Sequence, residues 1–312
     1  LHGQGAPGSP GAAAPSYLER YREITRLAPA EGQVADVSHV VLVRDAGRIT
    51  LERGTLYLLT PVGGRVVGAV FRGEGRFTFA PRIPAEQAQL RRFADSTTLD
   101  AAITEAILLF ADSTPGQLRS LTFGPSSIPG DLANDVRDFV ASLQGEHAGS
   151  FDGDVIAPLL NGDTTGLFVA WVKRARGDPV RFQINPEINE AVQLFRPVSR
   201  RRWGSPWALV TEFPPATPLP RSAGVWRYRE RVRVPHYRMD VGLSEAFSAN
   251  LGLAARAAVT VVAEEPVGPW LHFVLHDKLV VDSARFGSGD AAPVHKAEVD
   301  DDLWVRAPRR LA

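Results

Sequence analysis

The sequence predicts a β-rich, mixed α+β fold: an amino-terminal antiparallel-sheet domain carrying helices, followed by a β-sandwich segment. Three observations lead there. Residues 54–81, GTLYLLTPVGGRVVGAVFRGEGRFTFAP, read as three consecutive strands separated by glycine-rich turns. Helical periodicity is confined to short stretches, most of them between residues 84 and 160. Beyond residue 231 short apolar strands recur with little helix between them, the spacing of a sandwich or barrel.

The three strands of the first stretch are expected at 56–60, 65–71 and 76–80. Gly63-Gly64 supplies the positive φ angles that a tight hairpin turn demands, and Arg72-Gly73-Glu74-Gly75 is expected to repeat the device. In the middle strand Val66 and Val70 point one way, and Val67, Ala69 and Phe71 the other. Both faces are apolar, so this strand is expected to be central and covered on both sides. Phe77 and Phe79 alternate with Arg76 and Thr78, the pattern of a half-buried strand.

Elsewhere the chain reads in order as follows. A low-complexity lead rich in Gly, Ala and Pro precedes a short amphipathic helix at 17–28, which Ser16 can cap. Strands follow at 37–44 and 48–52, joined at Ala46-Gly47. Pro84 opens a helix to about Phe93, because proline is tolerated in a first helical turn. A buried strand at 106–110 and a short helix at 115–121 come next. Asp131 caps a longer helix whose stripe is Leu132, Val136, Phe139 and Leu143, and 154–160 is read as helical. Strands resume at 166–174, 179–184 and 207–213. Four prolines within 214–224 make a stiff linker. Past it, strands are expected at 237–243, 251–264, 270–276, 278–286 and 301–306. The domain reading is therefore a lead and helix at 1–33, an α+β domain at 34–213, a linker at 214–230 and a β-sandwich at 231–312.

Composition limits the classes of function. With 44% hydrophobic residues in 312, the chain can bury a full core, and its net charge of zero argues against a nucleic-acid role. That neutrality conceals an asymmetry. Residues 84–170 hold 12 acidic against 4 basic side chains, and residues 171–240 hold 14 basic against 6 acidic. Such segments either meet each other or solvent, or form a polar docking surface. Absence of cysteine excludes disulfides, thiol catalysis and Cys-ligated zinc, and suits a periplasmic or a cytosolic protein equally. No apolar run approaches the roughly 18 residues that a membrane helix requires. The low-complexity start suits the mature end of an exported protein.

Motifs that could carry chemistry are weak. His272 and His276 have zinc-pair spacing, yet alternation with Leu271, Phe273 and Leu275 places them on a strand. Strand residues four apart lie about 13 Å from each other, too far to share a metal. Gly73-Glu74-Gly75 lacks the third glycine of a dinucleotide fingerprint and lies between strands. Asp152-Gly153-Asp154 lacks the later ligands of a calcium loop and reads as a helix cap. Asp300-Asp301-Asp302 reads as a solvated turn, and Gly287-Ser288-Gly289 as a flexible turn rather than a nucleophile elbow. Arg200-Arg201-Arg202-Trp203 is the densest basic–aromatic cluster and reads as an exposed loop. His39, His147, His236 and His295 lack partners nearby in sequence.

Two stretches carry a family resemblance. VVLVRDAGRITLERG (40–54) with the 54–81 strands resembles the amino-terminal extension of bacterial secreted zinc metallopeptidases of the membrane-alanyl-aminopeptidase-like (gluzincin) family. The run from Val234 to Val241, with 257–263 and 279–284, is similar to the start of that family's β-sandwich. The family's chemistry would need H-E-x-x-H, a distal Glu and a G-x-M-E-N loop. Here no His is followed by Glu, and the single methionine, Met239, is followed by Asp240. No catalytic, cofactor-binding or metal-ligating residue can therefore be carried over.

Two functional expectations follow. The first is a non-catalytic exported interaction or structural module without a cofactor, periplasmic or secreted. It would work through its surfaces and edge strands, as an accessory subunit bound to protein partners on the outer side of an energy-transducing membrane complex. The second is the amino-terminal half of a secreted zinc aminopeptidase whose catalytic domain lies downstream.

Overall fold

The structure, a computed structural model, describes residues 16–143, 153–162, 166–198, 206–216, 232–244, 252–287, 289–296 and 301–311. Eight strands form one sheet in chain order: β1 (Pro29–Arg44), β2 (Gly47–Leu59), β3 (Gly68–Phe79), β4 (Leu99–Ala111), β5 (Leu167–Arg174), β6 (Val180–Ile184), β7 (Val192–Pro197) and β8 (Trp207–Phe213). Every neighbouring pair is antiparallel, so each strand pairs with the one that precedes it in sequence. The Gly63-Gly64 turn forms as expected, with φ of 59° and 75° inside the Val62↔Arg65 bridge.

The second expected turn does not form. Residues 72–75 lie inside β3, which runs unbroken from Gly68 to Phe79. Its register with β4 shifts between Arg72 and Gly75, and that of β2 with β3 shifts between Leu51 and Arg53. The glycines thus serve a β-bulge rather than a reversal, because β2 and β4 both continue past this point and hold the chain extended. Val66 and Val67 also exchange faces relative to expectation: Val67 packs with Val70, and Val66 with Phe71. Both precede Gly68, so the two-residue alternation of the ladder has not yet begun there.

Both faces of the sheet are covered, as the apolar pattern of β3 requires. On one face Phe71, Phe77, Phe79, Phe110, Phe168, Phe182 and Phe213 form an aromatic interior closed by Leu90 of α2 (Pro84–Ala94). The sheet rolls around this interior. Phe79 of β3 and Phe213 of β8 have ring centroids 6.1 Å apart. Five strand spacings in a flat sheet would separate them by about 24 Å. At Gly47 of β2 an added Cβ would enter the Phe182 ring of β6, so the curl also needs a residue without a side chain there.

The opposite face carries α1 (Tyr17–Thr25), α4 (Leu132–Ser142) and α5 (Gly153–Asn161). Ser16 and Glu19 form a reciprocal capping box at the start of α1. Leu132, Val136, Phe139 and Leu143 supply the apolar stripe of α4 as expected. Asp131 does not cap that helix; its carboxylate is engaged by Arg72 instead. The short helix expected at 115–121 is a single turn, α3 (Thr114–Gln117).

Residues 232–311 build two small sheets. A hairpin pairs β9 (Val232–Ser244) with β10 (Gly252–Ala263), and a three-stranded sheet has the order β11 (Trp270–Val274), β13 (Asp302–Arg306), β12 (Val294–Lys296). The three-stranded sheet returns to the helical layer: Trp270 and Trp304 are buried in the same core as Ile24, Phe139 and Leu159. Asn161 fastens it there, donating from Nδ2 to the Trp270 carbonyl (2.9 Å) and accepting from the Trp270 amide (2.8 Å). The expected strand at 278–286 is absent: only Arg285 makes an isolated bridge, to Ala291, and Val280 stays 85% exposed. Strands β7 and β12 escape sequence reading because they are short and bounded by neighbours of mixed polarity.

Candidate interaction surface

The β9–β10 hairpin is built from two strands whose apolar residues fall on one face. Its register sets Tyr237 against Val259, Met239 against Ala257, Val241 against Ala255 and Leu243 against Leu253. Cross-strand partners lie on the same side of a sheet, so these eight side chains form one uninterrupted apolar face. The reverse face holds His236, Arg238, Asp240, Ser244, Arg256 and Thr260 in the same register. Asp240 sits between two cations there, 3.3 Å from Arg238 and cross-strand from Arg256. The pattern is amphipathic with period two over most of both strands.

Local chemistry explains the base of the hairpin. The register shifts between Thr260 and Val262, so that Val234 and Pro235 of β9 oppose Val261 alone. Proline lacks the N–H a ladder needs, and a bulge is where a strand tolerates it. Below the bulge Arg233 Nε donates to Glu264 (2.8 Å).

Neither face of this hairpin is buried. Tyr237, Met239, Val241, Leu243, Leu253 and Val259 are 44–59% exposed, whereas core strands such as β6 are buried at every residue. Scattered exposed apolar residues are ordinary; a contiguous apolar face on a two-stranded ribbon is not. An isolated hairpin is also at best marginally stable without something against its apolar side.

Polar clusters elsewhere have structural tasks. Arg72, beside the β3 bulge, donates from Nε to Glu105 (2.7 Å) and reaches Asp131 (3.0 Å) and Asp135 (2.5 Å). Asp131 and Glu105 hold its guanidinium above the ordinary arginine value, and Arg72 in turn holds the Asp131 carboxyl below its own. Arg76 pairs with Asp100 (2.6 Å), and Arg44 with Asp112 (2.5 Å) while lying over the Phe168 ring. Five acids of residues 84–170, Asp100, Glu105, Asp112, Asp131 and Asp135, thus pair with arginines of β1 and β3.

Of the residues weighed for chemistry, the structure brings His276 and Asp301 together with Asp277, their ligand atoms within 4.8 Å of one another, and keeps His272 apart from them. His272 Nε2 donates to the Asp302 carboxylate (2.7 Å), and the ring stacks on Trp304, with ring centroids 4.6 Å apart. His276 lies beyond the end of β11, beside Asp277 and Asp301, so the two histidines occupy separate environments. His276, Asp277 and Asp301 are all exposed; the Asp277 amide donates to Asp301 Oδ1 (2.8 Å) and the Lys278 amide to His276 Nδ1 (3.2 Å). Asp302, expected in a solvated turn, opens β13. His295 stacks on Tyr17 at 4.2 Å, His236 lies on the polar face of the hairpin, and His39 is a positive-φ residue of β1 (φ 61°). The turn at Gly287 and Gly289 closes through Gly289 N–H on the Phe286 carbonyl (2.8 Å). His147, Asp152, Ser288, Asp300, the 200–203 cluster and nearly all of the 214–230 linker lie outside the described residues.

The hairpin face was half legible. Both strands and their alternation can be read from sequence, and pairing them in register would have assembled the apolar face. That it stays exposed among the described residues is a tertiary fact without a local signal. Comparison of the chain with protein-family models, with curated proteins and with solved structures finds no match. What fold and surface define together is a β-rich α+β protein with a hairpin whose apolar face is exposed.

Proposed function

We propose that this chain is a non-catalytic interaction module that docks to a protein through the apolar face of the β9–β10 hairpin. One observation carries the reading: Tyr237, Met239, Val241 and Leu243, with Leu253 and Val259, expose a continuous apolar face that an aqueous protein does not leave bare. The sequence supports it, since the H-E-x-x-H signature of the peptidases it resembles is missing. An accessory role on the outer side of a membrane complex is the setting this reading favours. The test is a photo-reactive amino acid at position 239, irradiated in cells of the native source and analysed by mass spectrometry. The expected product is a defined protein adduct, absent when the probe replaces Thr260 on the reverse face. Loss of any protein adduct at 239 would overturn the reading.

A second reading is favoured by the two family-like stretches, 40–81 and the run from Val234. The chain would then be the amino-terminal part of a zinc aminopeptidase, and the hairpin face would be covered by the remainder of that enzyme. Reading the coding sequence downstream for H-E-x-x-H tests it directly.

A further inference from the structure

The relief of the hairpin face identifies its occupant. On β9 the face presents large side chains in succession, Tyr237, Met239, Val241 and Leu243. On β10 the positions opposite Met239 and Val241 are Ala257 and Ala255, framed by Val259 and Leu253. The face is thus a ridge beside a channel floored by two alanines. A two-fold axis parallel to the strands, passing between two such faces, places the β9 ridge of each copy over the β10 channel of the other. Met239 then seats on the second copy's Ala257 position and Val241 on its Ala255 position. A surface that complements itself under a two-fold rotation meets the requirement of an isologous dimer.

The area is adequate. The face runs about 20 Å along the strands and about 15 Å across them, on the order of 500 Å² of accessible surface per copy once side-chain relief is included. Roughly 1,000 Å² for the pair reaches the lower limit of specific interfaces. The face bears no charge, while Arg238, Asp240 and Arg256 remain on the outer, wet side of both hairpins. Packing would also supply what a lone ribbon lacks, a second apolar layer at the ~10 Å separation of stacked sheets.

We infer that the occupant of the β9–β10 face is a second copy of this chain, joined hairpin to hairpin by seating Met239 and Val241 over Ala257 and Ala255. This rests on the reading of the hairpin as a docking surface and names its partner.

Sedimentation equilibrium of the full chain, up to roughly 100 μM because the interface is small, is the test. The expected result is twice the mass of one chain, reverting to a single chain in Met239→Asp/Val241→Asp with an unchanged far-UV spectrum. Ala257→Leu, which keeps the face apolar but fills the channel, is expected to weaken association at least tenfold. It decides the matter should the charged variant fail to fold. Thr260→Asp, on the reverse face, is expected to leave the dimer intact. A dimer that survives both face variants would overturn the inference. So would a wild-type monomer across the concentration range, or a monomer that floats with phosphatidylcholine–phosphatidylglycerol vesicles. A monomer whose position-239 probe still captures a different protein ends the second-copy inference and leaves the docking reading standing. A monomer that captures nothing ends both.

Discussion

Gly54 of β2 and Gly73 of β3 face each other so closely that each occupies the space of the other's missing side chain. A Cβ built on Gly54 would lie 2.7 Å from the Gly73 Cα, and one built on Gly73 would lie 2.6 Å from the Gly54 Cα. The neighbouring carbonyls of Arg72 and Arg53 close the remaining space. This contact is what allows the β3 bulge to form while β2 and β4 stay hydrogen-bonded on either side.

Gly54→Ala and Gly73→Ala are therefore each expected to destabilise the fold by on the order of 2–4 kcal/mol, since backbone rather than a flexible side chain must move. Urea denaturation measures it. An effect within about 0.5 kcal/mol, the range of a neutral surface change, would contradict the close approach.

The bulge also delivers Arg72 to Glu105, whose side chain is only 5% exposed. Arg72→Met leaves that carboxylate buried without its cation and is expected to cost about 3 kcal/mol. Glu105→Gln, which removes the charge but keeps an acceptor, is expected to cost about 1 kcal/mol. In the double variant Arg72→Met/Glu105→Gln most of the first loss returns. A double-mutant cycle with purely additive losses would show that the two side chains are not coupled.

Acid stability has a defined sign. Arg76 holds the Asp100 carboxyl, and Arg72 the Asp131 carboxyl, below the ordinary value near 3.8. Each therefore binds fewer protons in the folded chain than in the unfolded one as pH falls. Their contribution is complete above about pH 4–5 and disappears as pH drops through the lowered native values. Arg72→Gln/Arg76→Gln is expected to be less stable at neutral pH and to show a shallower loss between pH 5 and pH 2. Thermal unfolding across that range reads both, and parallel curves for variant and wild type would refute the assignment.

Docking of the three-stranded sheet depends on Trp304 and Asn161. Trp304 is fully buried, 5.5 Å from the Tyr17 ring and 4.6 Å from His272. Its indole nitrogen has no hydrogen-bond partner among the described residues. Trp304→Ala is expected to cost about 3–5 kcal/mol. Trp304→Phe should cost less than half as much, because it keeps a ring and removes an unpartnered N–H. Asn161→Asp retains the acceptor for the Trp270 amide but loses the donor to its carbonyl, an expected cost of about 1–3 kcal/mol. Hydrogen exchange at Trp270 is the local readout. In Asn161→Ala, which removes the acceptor of the Trp270 amide, unaltered protection there would exclude the clamp.

Much of the fold was legible because it is local. Alternation located β5, β6 and β8, proline located the start of α2, and Ser16 as a cap located α1. The apolar pattern on both sides of β3 correctly required two covering layers. Misreadings fell where a distant partner overruled a local signal. Gly73 and Gly75 have the composition of a turn, but two flanking strands pull the segment straight. Asp131 has the position of a cap, but Arg72, 59 residues away, takes its carboxylate. Lys278–Phe286 has the alternation of a strand, but among the described residues only Arg285 finds a bridge, to Ala291.

What the sequence determined by itself is thus the inventory: which segments are strands or helices, which of their faces are apolar, and where turns begin. These depend on neighbours within a few positions of the chain. Tertiary structure alone decided that β3 meets β6 and β8 across a rolled sheet, and that Trp304 reaches back to Tyr17. It also decided that, among the described residues, the apolar side of β9–β10 stays exposed. An apolar stripe records that a face must be buried. Whether its own chain buries it is settled by contacts hundreds of residues apart, which no local pattern encodes.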